Sequence, residues 1–336
     1  MRNSVIVAFD VGGTQIKAAA VVGGEVAKST IGYYESRADL DAEALIARFA
    51  SVFADVLERL GPDAVADGLG LAFPGPFDYA AGVSRIRGLG KFEHLYGRPV
   101  GTLLEQELRA NGRTRSRLAP HFRIVFENDA ALFGLGESAE SGAAAGARRA
   151  VCLTVGTGLG SCFLEHGRLI KHRGDVPAEG WLYALPCRKG AADDCVSRRG
   201  LLKLAGRFGL NDAGLDARDL AELAKAGDRR ALRAFERFGR RAARILGPPL
   251  IRFDPEVIVF GGQISKSASL FLPAFRQETR TAGLEADIRV SADTLSGTLR
   301  GVYDLVTETQ NLALSHNLAN GGTSSCKPEE TNGKSM

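Results

Sequence analysis

Asp10-Val11-Gly12-Gly13-Thr14-Gln15-Ile16-Lys17 follows directly on the apolar run Ser4 to Phe9, so a strand delivers a carboxylate to the mouth of a glycine turn. The construction returns where Ala150 to Val155 runs into Gly156-Thr157-Gly158-Leu159-Gly160 and continues as Ser161 to Leu164. Glycine carries no Cβ, which lets backbone N–H groups close around phosphate oxygens. The hydroxyls of Thr14 and Thr157 can add donors, and Asp10 offers the hard oxygen that nucleotide-bound Mg2+ takes directly or through water. Either turn alone reads equally well as a β-hairpin needing positive φ. Together they point to two clamps on one polyphosphate.

Length and composition set the frame around these turns. The 336 residues exceed one comfortable core and imply two lobes. Apolar content of 45% and charged content of 24% belong to an ordinary folded chain. The net charge of +4 is spread over short runs such as Arg229-Arg230 and Arg240-Arg241, with no basic arm, so no nucleic acid partner is implied. No apolar run reaches membrane-spanning length, and Met1-Arg2-Asn3 leads into a strand too short for a signal-peptide core. No membrane partner and a cytoplasmic location are therefore expected. Five cysteines (Cys152, Cys162, Cys187, Cys195, Cys326) form an odd set with two in apolar strands, which does not read as a disulfide framework.

Val5 to Phe9, Ile16 to Val22 and Val26 to Tyr34 read as an antiparallel meander, the last two strands joined at Gly23-Gly24. From Leu40 to Leu60 the residues Leu45, Phe49, Val52, Phe53, Val56 and Leu60 recur at helical spacing. A strand at Asp67 to Phe73 ends in Pro74-Gly75-Pro76, a helix covers Thr102 to Arg109, and the first lobe ends near Pro120. The plan then repeats: strand Arg123 to Phe126, helix Ala130 to Ser138, and the hairpin around Gly156. Asp228 to Leu246 is an amphipathic helix, and Glu256 to Phe260 is a strand opening into Gly261-Gly262. A helix near Leu270 to Thr281, a strand near Ile288 to Ser291 and a last helix from about Ser296 to Leu314 follow. The expected lobes are residues 1–120, completed by the helix at about 296–314, and residues 121–295, with a cleft between them. Residues 316–336, rich in Asn, Gly, Ser, Lys and Glu, read as a disordered tail.

A base is needed beside such a phosphate site, and Phe126-Glu127-Asn128-Asp129-Ala130-Ala131 offers one. An apolar strand brings Asn128 and Asp129 to the mouth of a helix, where backbone donors are free. Asn-Asp before an Ala-rich helix is also an ordinary N-cap. Opposite a nucleotide, however, a carboxylate there can take the proton of an attacking hydroxyl.

These residues resemble the ROK family of sugar kinases, within the larger group sharing the hexokinase and actin ATPase fold, over roughly residues 4 to 314. The marks are Asp10-x-Gly12-Gly13-Thr14-x-x-Lys17, Phe73-Pro74-Gly75-Pro76, Glu127-Asn128-Asp129-Ala130, Val155-Gly156-Thr157-Gly158-Leu159-Gly160, Ala178-Glu179-Gly180 and Val257-Ile258-Val259-Phe260-Gly261-Gly262. The resemblance implies an α/β chain of two ribonuclease H-like lobes around a cleft. It implies Asp129 as catalytic base, Gly75, Asn128, Asp129 and Glu179 on the sugar, and Asp10 on Mg2+. Gly12, Gly13, Thr14, Lys17, Gly156, Thr157 and Gly158 would serve the ATP phosphates, with Gly261 and Gly262 beside the adenosine. It further implies a sugar substrate, ATP with Mg2+, and a homodimer.

Two departures bear on the sugar. Many members place a histidine three residues after the pocket glutamate and then a CxCGxxGCxE zinc motif; here Leu182 holds the histidine position and only Cys187 and Cys195 remain. Two thiolates do not close a tetrahedral site, so no zinc is expected. In Arg85-Ile86-Arg87-Gly88-Leu89-Gly90-Lys91-Phe92, where glucose-specific members carry an Asn-containing segment, Lys91 either reaches a charged group on the substrate or lies on the surface. The resemblance puts O6 of glucose or a related hexose first. A kinase for an N-acyl hexosamine or another sugar, and a catalytically weak sensor of the same family, stand as alternatives. The DNA-binding members carry a helix-turn-helix domain ahead of the first phosphate strand; with that strand starting at Ser4, a repressor is not the expected reading.

Overall fold

In the computed structural model, residues 3–321 are described, apart from 188–189 and 213. β1 (Val5–Val11) and β2 (Gln15–Val22) form the hairpin that carries the first glycine turn. β3 (Glu25–Val26) and β4 (Gly32–Glu35) both pair with β2. The run Val26 to Tyr34 is thus not one strand. The buried Thr30 hydroxyl donates to the Ala27 carbonyl at 2.6 Å and accepts the Ala20 N–H at 2.9 Å, holding a 3-10 corner at Lys28–Thr30 that splits it. α1 (Ala42–Leu60) is capped by Asp41, whose carboxylate accepts the Ala44 N–H, and it buries Leu45, Phe49, Val52, Phe53 and Val56 against the sheet. Burial of each such side chain contributes about 1.5–3 kcal/mol.

β5 (Ala66–Ala72) lies parallel to β1. The short strands β6 (Phe77–Asp78) and β7 (Val83–Ser84), α2 (Val100–Ala110) and β8 (Leu118–Glu127) follow, with β8 parallel to β5. The strand expected to open the second lobe therefore belongs to the first sheet. Phe122 and Phe126 on β8 join the core beneath β1 and β5, so the change of sheet comes after Glu127 and not near Pro120.

α3 (Asp129–Ser138) leads to the second sheet, where β9 (Arg149–Val155), β10 (Leu159–Glu165) and β11 (Arg168–Leu169) repeat the hairpin. Next come β12 (Pro186–Cys187), β13 (Gly190–Ala191), α4 (Ala192–Cys195), α5 (Arg198–Arg207), α6 (Ala217–Lys225) and α7 (Arg229–Phe253). β14 (Val257–Gly261) returns parallel to β9, and α8 (Ala268–Thr281), β15 (Asp287–Val290) and α9 (Thr294–Gly321) complete the order. The strand order β11-β10-β9-β14-β15 reproduces β3-β2-β1-β5-β8.

Two helices outrun their expected ends. α7 passes Leu246 and continues through Pro248 and Pro249, which supply no amide donors. Buried Pro249, Leu250 and Phe253 extend the apolar stripe of α7, with Phe253 edge-on to Phe163 of β10 at 5.0 Å, and that burial carries the helix onward. α9 reaches Gly321, so the tail expected from His316 begins as helix; 322–336 lie outside the described residues. A third core cluster, containing Ile6, Ala8, Leu132, Phe133, Cys152, Val259 and Leu299, places α3 and α9 between the two sheets.

Candidate active site

Strand register assembles the first half of the site. Asp10 on β1 pairs with Ala72 on β5, and Ala72 pairs with Glu127 on β8. Asp10, Phe73-Pro74-Gly75 and Asn128-Asp129 therefore emerge side by side at the C-terminal edge of three parallel strands, where ligands of open α/β sheets bind. Asn128 caps α3, its side-chain oxygen accepting the Ala130 N–H at 3.0 Å, and Asp129 is the first residue of that helix.

The half-buried Asp10 takes the Lys17 ammonium at 2.7 Å. Asp129 is open to cleft solvent, yet the cleft walls crowd its carboxyl. That crowding, and then repulsion from Asp10, raises its pKa above the ordinary carboxylate value. Its own helix-terminal amides and the Lys91 charge pull the other way.

Each glycine turn presents amides outward. In the first, the Gly12 N–H is spent on the Gln15 carbonyl at 2.9 Å and the Gly13 carbonyl on the Ser36 hydroxyl at 2.6 Å. The N–H groups of Gly13 and Thr14 have no acceptor among the described residues. In the second, the Gly156 N–H bonds the Gly158 carbonyl at 2.9 Å and the Leu159 N–H bonds Asp193 Oδ1 at 2.7 Å. Thr157 and Gly158 keep free N–H groups in the same sense. Paired unsatisfied amides on a turn form an anion-binding concavity.

The remaining turn abuts the second. Gly261 pairs with Thr154, and Gly262 has φ +87° with its Cβ position within 2.8 Å of the Val155 backbone, so only glycine fits there. A Cβ on Gly160 would lie 2.8 Å from that of Ala130, so the β9–β10 hairpin rests against the start of α3.

Glu179 lies in a 3-10 turn at φ 57°, a strained setting for a residue with a Cβ, and its carboxylate meets His172 Nε2 at 3.2 Å. Gly75 lies beside Tyr79, whose hydroxyl donates to the Phe73 carbonyl at 3.0 Å and whose pKa is pushed up by burial. Lys171 ion-pairs with Glu127 at 2.6 Å and sits 6.0 Å over the Tyr79 ring. Tyr79 and Lys171 carry no motif spacing and are brought to Glu127, the first residue of the Glu127-Asn128-Asp129-Ala130 motif, only by the fold. The one local hint was the adjacency of Glu127 to Asn128. Trp181 and Tyr183, with ring centroids 5.6 Å apart, follow Glu179 as an aromatic pair.

Cys187 and Cys195 face each other with sulfurs 2.8 Å apart, and among the described residues no cluster of three or more His, Cys, Asp or Glu could hold a metal ion. Cys152 and Cys162 are buried free thiols, and Cys326 lies outside the described residues. Two hollows of about 320 and 300 Å3, lined respectively by residues such as Arg276 and Arg280 and by Ile46 and Leu103, lie apart from all these groups. No helix among the described residues is long and apolar enough to cross a membrane.

A model of the ROK family matches residues 6–289. The chain is 28% identical over 255 residues to the glucokinase of Thermotoga maritima, covering 67% of this chain and 74% of that protein. It is 25% identical over 284 residues to an N-acetyl-D-glucosamine kinase of Photobacterium profundum, covering 78% and 85%. Its fold matches a ROK family glucokinase from Streptomyces griseus, solved with glucose and AMPPNP, at a TM-score of 0.69 and 22% identity over 91% of this chain and 100% of that one. The two-sheet architecture is thus the actin-like ATPase fold.

Proposed function

The chain belongs to the ROK family, and from that premise we propose that it is an ATP-dependent sugar kinase. It would move the γ-phosphoryl group of Mg-ATP to a hexose hydroxyl, O6 of glucose or a related hexose. The observation that carries this reading is the register that sets Asp10, Gly75 and Asn128-Asp129 on one sheet edge, with the outward amides of Gly13-Thr14 and Thr157-Gly158 supplying phosphate donors.

The residues fit their proposed ligands chemically. Four free amides on two turns suit phosphate oxygens, and the mutual repulsion of Asp10 and Asp129 favours a cation between nucleotide and base. Bound Mg2+ supplies charge neutralisation to the phosphates. Asp10, steadied by Lys17, holds the metal side, and Gly261-Gly262 leave room for the adenosine. Gly75, Asn128 and Glu179 define the sugar position. Asp129 accepts the proton of the attacking hydroxyl, a role for which a raised pKa is suited, because a stronger base takes the proton more readily.

The test is ADP release coupled to a chromogenic reporter, with Mg-ATP and a panel of glucose, mannose, N-acetylglucosamine, N-acetylmannosamine and sugar phosphates. Glucose or a close relative should stimulate release most. The N-acetyl-D-glucosamine kinase of Photobacterium profundum is the reason the N-acyl sugars are in the panel. No stimulation by any sugar, together with no nucleotide binding by calorimetry, overturns the proposal.

A further inference from the structure

Lys91 is held in the site by a purpose-built loop. Glu93 accepts three consecutive backbone N–H groups, those of Gly88, Leu89 and Gly90, at 2.9, 2.6 and 2.8 Å. On the other side Phe92 is fully buried against Phe49 and Phe73, and its N–H bonds the Ala38 carbonyl at 2.7 Å. Phe92 achieves this at φ 55°, a left-handed conformation that a bulky residue adopts only when its surroundings enforce it. Both neighbours of Lys91 are therefore fixed, and the lysine between them is aimed.

Its stem runs along the first glycine turn: a Cβ added to Gly13 would lie 2.8 Å from Lys91 Cδ and within 3.8 Å of Cβ and Cγ. Its charge acts on the Asp129 carboxyl. Lys91 is half-buried, and among the described residues its ammonium makes no ion pair and no hydrogen bond. A lysine merely lying on the surface would need neither an enforced left-handed neighbour nor a carboxylate clamping its loop.

Resting on the kinase reading, we propose that Lys91 is a catalytic residue that hydrogen-bonds the phosphoryl group in transit between the nucleotide at Gly12–Thr14 and the sugar hydroxyl facing Asp129. In that step the bond from the γ-phosphorus to the β,γ-bridging oxygen breaks and its electron pair leaves on ADP. A bond from the sugar oxygen to phosphorus forms, and the hydroxyl proton passes to Asp129. Lys91 keeps its proton throughout and offsets the negative charge on the equatorial oxygens, as preorganised cations do in phosphoryl transfer.

The test compares Lys91→Met and Lys91→Arg with the parent protein by calorimetry with AMPPNP and with ADP, and by steady-state kinetics with Mg-ATP and the accepted sugar. Lys91→Met should lose roughly tenfold in AMPPNP affinity while ADP affinity stays within about twofold. Its kcat should fall by about 10²–10³, the range for removing one preorganised transition-state donor, with sugar KM little changed; Lys91→Arg should recover part of both losses. Equal AMPPNP and ADP affinities across the variants, with kcat within about threefold, overturn the proposal. So does a loss confined to sugar KM, which would make Lys91 a reader of the substrate. A parent protein that binds both nucleotides but phosphorylates no sugar overturns the kinase reading, while an AMPPNP-specific loss in Lys91→Met would still place the ammonium on the γ-phosphate. A parent that binds neither nucleotide overturns both.

Discussion

The Lys171–Glu127 ion pair ties the loop after β11 to the strand that delivers Asn128 and Asp129, so Lys171→Met should lower both stability and sugar affinity. Lys171 Nζ lies 2.6 Å from Glu127 Oε2, with the glutamate side chain 10% exposed and the lysine 26%. Glu127 Oε1 accepts the Asn128 N–H at 2.8 Å, so the same carboxylate orients the turn before Asp129, the proposed base. Removing one member of a buried pair costs about 3–5 kcal/mol, because the surviving charge loses its partner. Here the lysine is a quarter exposed and Glu127 keeps its amide donor. Both soften the loss, to about 2 kcal/mol. At roughly 2 °C per kcal/mol for a chain of this size, Tm should drop by about 4 °C.

Glu127→Gln alone should cost about 1 kcal/mol, since the amide side chain can still meet its neighbours. In Lys171→Met/Glu127→Gln no bare carboxylate remains, so the double variant should be more stable than Lys171→Met, with a coupling of at least about 1 kcal/mol. Thermal melts of the three variants measure this, and steady-state kinetics should show sugar KM rising in Lys171→Met as Asn128 loses its orientation. Losses that simply add, within about 0.3 kcal/mol, together with an unchanged sugar KM, would refute the idea that this pair organises the turn bearing Asp129.

Asp129→Asn should cut kcat by roughly two to four orders of magnitude with sugar affinity by calorimetry largely retained; near-parental turnover would reduce Asp129 to a helix-terminal residue. The raised Asp129 pKa sets the sign of the pH dependence, because the carboxylate is the form that would accept the proton under the proposed mechanism: kcat/KM should be full at higher pH and lost as pH falls through a value above the ordinary aspartate pKa of about 3.9. An acid limb at or below that value contradicts the crowding and Asp10 repulsion that raise it. Gly301→Ala would drive a methyl into the Leu132 carbonyl and part α3 from α9. It should cost about 1–3 kcal/mol by denaturant titration and lower kcat roughly ten- to hundredfold, since small misplacements of a catalytic group are expensive.

The glycine turns and the Asn128-Asp129 junction were legible because each is local. A strand's periodicity, a turn's glycines and a cap's side chain all fall within a few residues, and backbone chemistry alone relates them. Sheet membership is not local. The apolar run of β8 reads the same in either sheet, and only the packing of Phe122 and Phe126 decides. The extent of α7 is settled the same way: Pro248 and Pro249 disfavour helix by propensity, while burial of Leu250 and Phe253, the latter against Phe163 of β10, outweighs it. Lys171 and Glu127, 44 positions apart, have no sequence relation until the fold brings them to 2.6 Å.

The feature least visible in the sequence is also what fixes Asp129. By propensity Gly134 and Gly136 weaken the helix they sit in, each costing about 0.5–1 kcal/mol against alanine. In the structure they are contact points. A Cβ at Gly136 would run into the Gly297 carbonyl, one at Gly301 into the Leu132 carbonyl, and one at Gly134 into Cys162 Sγ. α3 and α9 therefore meet backbone to backbone, and α9 in turn lies on β1 and β5. Asp129 stands about 10 Å up the same helix from Gly136, at 1.5 Å per residue. A rigid helix transmits its placement over that distance, so the glycines that weaken α3 locally set where Asp129 sits relative to Asp10 on β1. The Gly160–Ala130 contact then brings the second glycine hairpin to the same helix. One helix, gripped on both sides through missing side chains, thereby relates the proposed base to both phosphate turns.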